Sequence, residues 1–160
     1  MNYQLALYKI IEYWYQIFME KYTVKTHTLT VGMEIGPDMV NITGQIMGWM
    51  SPSPVRNGTL HVFVVGSTGS VTTIEFEPGV VDDLKRSITD LAPPGQVYAH
   101  EQAWHDGNGH SHVQAALMGP SLTLPVLEGK LILGTWQQVV IINHDNSPRT
   151  RKIQLTLAGI

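Results

Sequence analysis

Between Tyr98 and Leu117 the chain reads YAHEQAWHDGNGHSHVQAAL, a stretch that holds His100, His105, His110 and His112, four of the seven histidines in 160 residues. Imidazole titrates nearest neutrality of all side chains and is the commonest metal ligand, so a cluster of this kind suits proton transfer or coordination of an ion. Glu101 and Asp106 add carboxylate oxygens that serve as general bases or hard ligands. His100, Asp106, His110 and His112 are the expected ligands of a divalent metal. The spacing is not the fixed HExxH type, and a solvated loop with one or two structural histidines accounts for the same residues equally well.

Asp106-Gly107-Asn108-Gly109 follows the pattern of a tight glycine-containing loop that opens into a helix from about Gly109 to Met118, with Asn108 or Ser111 placed to cap it. Unpaired N–H groups and the positive dipole end at such a start favour an anion, with a cation needed between it and Asp106. On that helix His112 shares a face with Ala115, Ala116 and Gly119, while His110 points elsewhere; both reach one ligand only if the chain is still loop at His110. Further along, Gly134-Thr135-Trp136-Gln137-Gln138 is expected in mid-strand, where a glycine and an amide in an apolar ladder mark a ligand or a subunit contact. Arg149 and Arg151, two apart on the final strand, project from one face and can clamp phosphate or carboxylate.

The elements that must carry these residues follow from composition and periodicity. Apolar residues make up 43% of the chain and charged residues only 14%, against about a quarter in typical soluble domains, so part of the surface is expected to lie between subunits. Net charge is −3, which offers no basic field for nucleic acid, and the absence of cysteine excludes disulfides, thiolate metal sites and cysteine nucleophiles. A cysteine-free chain fits the cytoplasm. Residues 3–20 carry apolar side chains at helical spacing (Leu7, Ile10, Ile11, Trp14, Ile17, Phe18), without the basic polar face of a membrane-surface helix or the length of a spanning one. They read as an amphipathic extension, residues 1–20, that packs on its own or a neighbouring subunit, or as a stretch upstream of a true start at Met19.

From Tyr22 the period changes to two through Val31, a strand. Asn41–Met50 reads as a short helix, and Asn57-Gly58 turns into a strand over Thr59–Val65. A second strand is expected over Val71–Phe76, and a helix from Pro78 to Leu91 ends at Pro93-Pro94-Gly95. The last third reads as strands at Leu122–Val126, Leu131–Ile142 and Lys152–Leu157. The expected class is α+β in a single domain, β-dominated, with a curved and mostly antiparallel sheet or sandwich and short helices.

The run from Asn108 to Gly159 closely resembles the C-terminal half of the YjbQ family. The residues that carry the resemblance are the His-Asp-Asn segment, Gly119-Pro120-Ser121-Leu122-Thr123 with Pro125, the LGTWQ signature at Leu133–Gln137, and Arg149-x-Arg151. Upstream, Phe63–Gly79 is similar to the family's central strand, loop and strand, and the resemblance spans residues 21–160. One motif departs: the family's His-Thr-Thr is replaced here by Gly66-Ser67-Thr68, so any role of that histidine is lost or passes to His105 or His110.

The resemblance implies a homotrimer of α+β subunits that bind a small phosphorylated metabolite. The implied reaction is the secondary thiamine-phosphate synthase reaction, joining hydroxymethylpyrimidine diphosphate to thiazole phosphate with release of pyrophosphate. Catalytic roles then fall to His100, His112, Asp106 and Glu75, with Mg²⁺ held by Asp106 and Glu75. Phosphate and substrate contacts fall to Ser67, Thr68, Asn108, Gln137, Arg149 and Arg151, and Trp136 forms an aromatic wall for the cationic pyrimidine fragment. Two other classes fit the same residues: a zinc-dependent hydrolase of a small phosphate or carbonyl compound, and a non-catalytic trimeric metabolite- or metal-binding protein.

Overall fold

Alternation of β-branched and apolar residues builds two antiparallel sheets in the computed structural model, which describes residues 3–160. The elements in chain order are α1 (Tyr3–Lys21), β1 (Thr23–Met33), β2 (Asp38–Asn41), α2 (Thr43–Met50), β3 (Gly58–Val65), β4 (Gly69–Glu75), α3 (Pro78–Leu91), α4 (Glu101–Trp104), α5 (Gly109–Met118), β5 (Ser121–Leu127), β6 (Lys130–Leu131), β7 (Gln137–Asn143) and β8 (Arg149–Gly159). One sheet runs β1-β8-β3-β5-β6 and the other β2-β7-β4. The chain therefore forms one β-dominated α+β domain, as its pattern predicts.

Strict period two decides what each strand buries. In β3, Leu60, Val62 and Val64 point inward between Thr59, His61, Phe63 and Val65, and Leu60 sits in register with Leu157 of β8 and Leu124 of β5. These residues meet Val71 of β4 and Val139 and Ile141 of β7 in one core between the sheets, closed at one side by Ile42, Ile46 and Met50 at α2. On the far face of the second sheet, Ile142 packs with Met39 against Ile88, Val81 and Leu84 of α3 and Met118 of α5. The β7 strand is thus covered on both faces, which is why Val139–Ile142 is an unbroken apolar run. Three layers result, with α3 and α5 on the outside.

The final strand β8 continues the same alternation. Arg151, Ile153, Leu155 and Leu157 all fall on its inward face, which places a guanidinium at the end of the core. Gly58 and Gly159 lie opposite each other at the other end, where a Cβ on either would meet backbone at 2.0–2.1 Å.

Several boundaries differ from the periodicity. The expected strand Leu131–Ile142 is two strands in different sheets, β6 and β7, joined by a turn in which Gln137 N–H donates to Gly134 O at 3.0 Å and Gly134 N–H to Gln137 Oε1 at 3.0 Å. Gly134 and Trp136 are therefore turn residues rather than strand interior, because the chain must leave one layer for the other. The helix expected from Asn41 begins at Thr43: Asn41 is the last residue of β2, opposite Val140, and its Oδ1 accepts from Thr43 N–H at 2.9 Å. The four-residue strand β2 and the single turn α4 were not legible in the pattern, being too short to show a period.

The N-terminal helix α1 forms where the spacing places it, and its side chains from Tyr3 to Gln16 are all exposed, Trp14 by 64%. Those side chains lie mostly in solvent rather than over the core. Ile17 and Phe18, the last members of its apolar stripe, lie outside the described side chains. Among the described residues no helix is long and apolar enough to cross a membrane.

Candidate functional site

Three segments converge at one end of the second sheet. They are the β3–β4 loop at Gly66–Thr68, the stretch from His100 into the first turns of α5, and the β7–β8 connection at Asn143–Arg149. Glu101 fastens the middle segment: its two carboxylate oxygens accept from Gly107 N–H at 2.7 Å and Gly109 N–H at 2.9 Å. Those backbone bonds hold its carboxyl below the usual range. They also satisfy a free N–H at the start of α5, the task that sequence reasoning gives to Asn108 or Ser111.

His100 leads into α4, with its Nε2 3.4 Å from Asp106 Oδ1 and its ring centroid 4.5 Å from that of His112. Nε2 is shielded from solvent and, apart from this contact with Asp106, meets no hydrogen-bonding group among the described residues. Asp106 is steered toward it by accepting from Asn108 N–H at 3.1 Å, while the Asp106 carbonyl accepts from Asn146 at 2.8 Å. His112 joins this pair to a cavity of about 290 Å³ that it lines with Gly66, Ser67, Gly69, Ala115 and Ala116. The small faces of α5 and the loop leave this space open.

Behind the cavity lies a buried polar network. Arg151 donates to Thr68 O at 2.9 Å, to Thr68 Oγ1 at 2.7 Å and to Asn143 Oδ1 from Nε at 3.0 Å. Asp145, 2% exposed, accepts from Arg149 at 2.9 Å, Thr68 at 2.8 Å and Asn108 at 3.4 Å. Burial alone pushes the Asp145 carboxyl up, but the Arg149 bond and charge with the Thr68 and Asn108 donors outweigh it and hold it low. Burial pulls the other way on Arg151, lowering its pKa, yet a guanidinium stays charged. Within this network Asp145 faces two guanidiniums, and the carboxylates of Asp106 and Glu101 lie at its edge, with Asp106 close enough to act on Arg149. Arg151 reaches the cavity wall because Gly66 and Gly69 have no side chain: a Cβ at Gly66 would sit 3.2 Å from its Nη1.

A second buried set ties the layers together. Gln114 donates its amide to Ala92 O at 2.9 Å, so its Oε1 must accept from His144 Nδ1 at 3.2 Å, and His144 Nε2 then accepts from the Ser70 hydroxyl at 2.7 Å. Burial, reinforced by Arg151 and His110, lowers the His144 pKa to about 4, so the ring is neutral at pH 7.

The predicted site residues divide into four groups. His100, Asp106, His112, Ser67 and Asn108 come together around or beside the cavity. Thr68 and Arg151 lie behind it with Thr68 Oγ1 and Arg151 Nε and Nη2 engaged, and Arg149 is half-exposed on Asp145. His110 turns inward from α5, against the Ser111 hydroxyl at 3.3 Å and the Tyr98 ring at 6.4 Å, because the helix has already begun there; burial holds its pKa low. Glu75, Trp136 and Gln137 gather at the other end of β4 and β7, where Glu75 pairs with Gln137, six residues or about 20 Å along the strand from Gly69. Among the described residues no three His, Asp or Glu side chains are arranged to hold a metal ion. With His110 turned away, the residues present suit an acid–base pair better than a resident metal centre. Asn143, His144, Asp145, Ser70 and Gln114 were missed; the only signal was a polar Asn-His-Asp triplet closing an apolar strand.

A β-dominated α+β domain with a His-His-Asp cluster beside a glycine-walled cavity is the class these features define. A family model described as UPF0047 protein YjbQ-like matches residues 27–160, and the chain belongs to this family. It is 34% identical over 143 residues to a UPF0047 protein of Methanothermobacter thermautotrophicus, covering 89% of this chain and 96% of that one. It is 36% identical over 107 residues to the UPF0047 protein YjbQ of Salmonella typhimurium, covering 66% and 77%. Among solved structures it is similar to a YbjQ-like protein of unknown function from Sulfolobus solfataricus P2, with a TM-score of 0.82, 29% identity and coverage of 87% and 99%. A hypothetical protein from Aeropyrum pernix K1 gives 0.80, 33%, 85% and 99%.

Proposed function

We propose that the protein is a cytoplasmic thiamine-phosphate synthase-like transferase that joins hydroxymethylpyrimidine diphosphate to thiazole phosphate. The observation that carries this reading is the shielded, unbonded His100 Nε2 facing Asp106 at 3.4 Å, with His112 packed on the same ring at the cavity. In the reaction the thiazole nitrogen gives its electron pair to the pyrimidine methylene carbon. The bond from that carbon to the diphosphate oxygen breaks, and its electron pair departs with pyrophosphate. The chain must therefore hold phosphate, deliver a proton to the leaving oxygen and keep water from the cationic fragment.

The Arg151 guanidinium, whose Nη1 lies against Gly66 at the cavity wall, supplies the first need, with the Ser67 hydroxyl and the loop N–H groups as contacts. His112 delivers the proton at the cavity, and His100, in contact with Asp106 and packed on the His112 ring, positions it. Mg²⁺ enters as the counterion of the diphosphate substrate, and no step is assigned to a resident metal. Glu75, Trp136 and Gln137 do not reach this site within one chain. In the homotrimer that forms part of this reading they are available to a neighbouring subunit.

The test is incubation of the purified protein with both precursors and Mg²⁺ while thiamine phosphate and pyrophosphate are quantified together. Equal amounts of the two products support the reading; absence of both with saturable precursor binding would leave a non-catalytic metabolite-binding protein.

A further inference from the structure

At the opposite end of β3 from the histidines, a half-open cleft of about 360 Å³ lies between the last turn of α2 and the tight hairpin joining β5 to β6. Eight residues of strand, about 25 Å, separate the two sites. Met50, 5% exposed, forms the floor, with Met47 and Leu131 as walls and Arg56, Lys130 and Glu128 at the rim. The walls are preformed. Gly129 N–H donates to Arg56 O at 2.8 Å and Glu128 N–H to Asn57 Oδ1 at 3.3 Å, which rivets the hairpin to the loop before β3. Glu128 and Gly129 both take left-handed backbone, with φ of 52° and 77°, a conformation that is strained for glutamate. A Cβ at Gly129 would meet Arg56 Nη1 at 2.9 Å, so the guanidinium lies against the bare glycine.

Neither Arg56 nor Lys130 makes an ion pair or a side-chain hydrogen bond among the described residues. Two unpaired cations and one carboxylate leave a net positive rim over a thioether and leucine floor. Thioethers adapt to flat or irregular apolar bodies, and a fixed guanidinium recognises an oxyanion through paired N–H donors. The volume is at the small end of the range for ligand pockets, roughly 300–1,000 Å³. That is room for a bicyclic ring or a short acyl chain and too little for a protein segment.

We infer that this cleft binds a small amphipathic anion, an aromatic or short aliphatic carboxylate, sulfonate or phosphate. Its apolar body rests on Met50 between Met47 and Leu131, and its anionic head takes Arg56 and Lys130. The inference does not depend on the reaction proposed above. The test is an amide NMR titration of the full chain with naphthalenesulfonate, against neutral naphthalenemethanol and inorganic sulfate.

Saturable shifts are expected at Met50, Ser51, Gly129 and Lys130, with affinity at least tenfold above that of the neutral compound, and no saturation by sulfate. Arg56→Ala and Lys130→Ala should each weaken binding by roughly tenfold, about 1.4 kcal/mol, and Arg56→Lys by less. Both positions are exposed, so an unchanged amide spectrum elsewhere confirms that the variants fold. The inference is overturned if the shifts fall at His112 and Ala115 instead, if naphthalenemethanol binds equally well, or if Arg56→Ala leaves affinity unchanged. It is equally overturned if no probe binds and Arg56→Glu alters the molar mass in light scattering, since a second copy would then fill the cleft.

Discussion

His100 and His112 differ in what surrounds them, and in the proposed reaction that difference separates their tasks. His112 borders the cavity, whereas His100 sits behind it with its Nε2 turned to Asp106. Removing either proton-handling group from a site of this kind typically costs 10²–10⁴-fold in rate, so His112→Ala and His100→Ala should each lower turnover by about 10²-fold or more in steady-state assays. Turnover in Glu75→Gln should stay within about threefold of wild type if the site is contained in one chain; a loss comparable to that of His112→Ala would show that a neighbouring subunit's Glu75 completes it. Asp145 has a different role, facing buried Arg151 at 3.7 Å and holding half-exposed Arg149 at 2.9 Å. Asp145→Ala strands buried Arg151, and breaking a buried pair by removing one partner typically costs about 3–5 kcal/mol. Denaturant unfolding should show a loss of this order, and a loss below about 1 kcal/mol would mean that Arg149 and Arg151 find water instead.

At the scale of elements, His144 couples α5 to β7 and β4 through Gln114 and Ser70, and this makes the packing sensitive to acid. An unfolded imidazole titrates near 6.5, whereas the folded ring titrates at about 4 because of burial and the nearby Arg151. Between those values the unfolded chain binds the extra proton, so stability is full above pH 6.5 and falls as pH drops toward 4. The shift corresponds to roughly 3 kcal/mol at most, and buried His110 adds to it in the same direction. Urea melts at pH 7 and pH 5 should separate clearly in wild type and less in His144→Gln; superimposable wild-type melts would count against the buried neutral ring.

β3 and α3 were legible in the sequence because each buries one face and its pattern records that face, whereas β1, buried only at Val31 and Met33, was legible from its β-branched alternation and α5 from the glycine turn that precedes it. The β6–β7 break was not, because both pieces are apolar and the switch of sheet leaves no change of period between Leu131 and Ile142. The histidine cluster was legible by local density, as was the separation of His110 from His112 on a helix. What was hidden is the pairing of residues distant in the chain: Thr68 with Asp145 and Arg151, and Ser70 with His144, are brought together only by the β4–β7 and β3–β8 ladders.

For the whole molecule, a thin outer layer of α3 and α5, two curled sheets and an uncovered α1 leave considerable apolar surface, with charged residues at only 14% of the chain. Patches of that kind mark contact surfaces. The α1 side chains from Tyr3 to Gln16 touch little of their own domain, so Trp14→Ala should change monomer unfolding by under about 0.5 kcal/mol. The homotrimer of the proposed reading should appear in light scattering as three times the subunit mass. The central claim, that His100, Asp106 and His112 form a proton-handling site for a diphosphate substrate, is tested most directly by one single-turnover experiment. The metal-stripped protein, resupplied with Mg²⁺ and both thiamine precursors, is quenched over time beside the His112→Ala variant. The account predicts thiamine phosphate and pyrophosphate appearing together in wild type and slowed by about 10²-fold in the variant. Equal product from both proteins, or none from wild type, would contradict it.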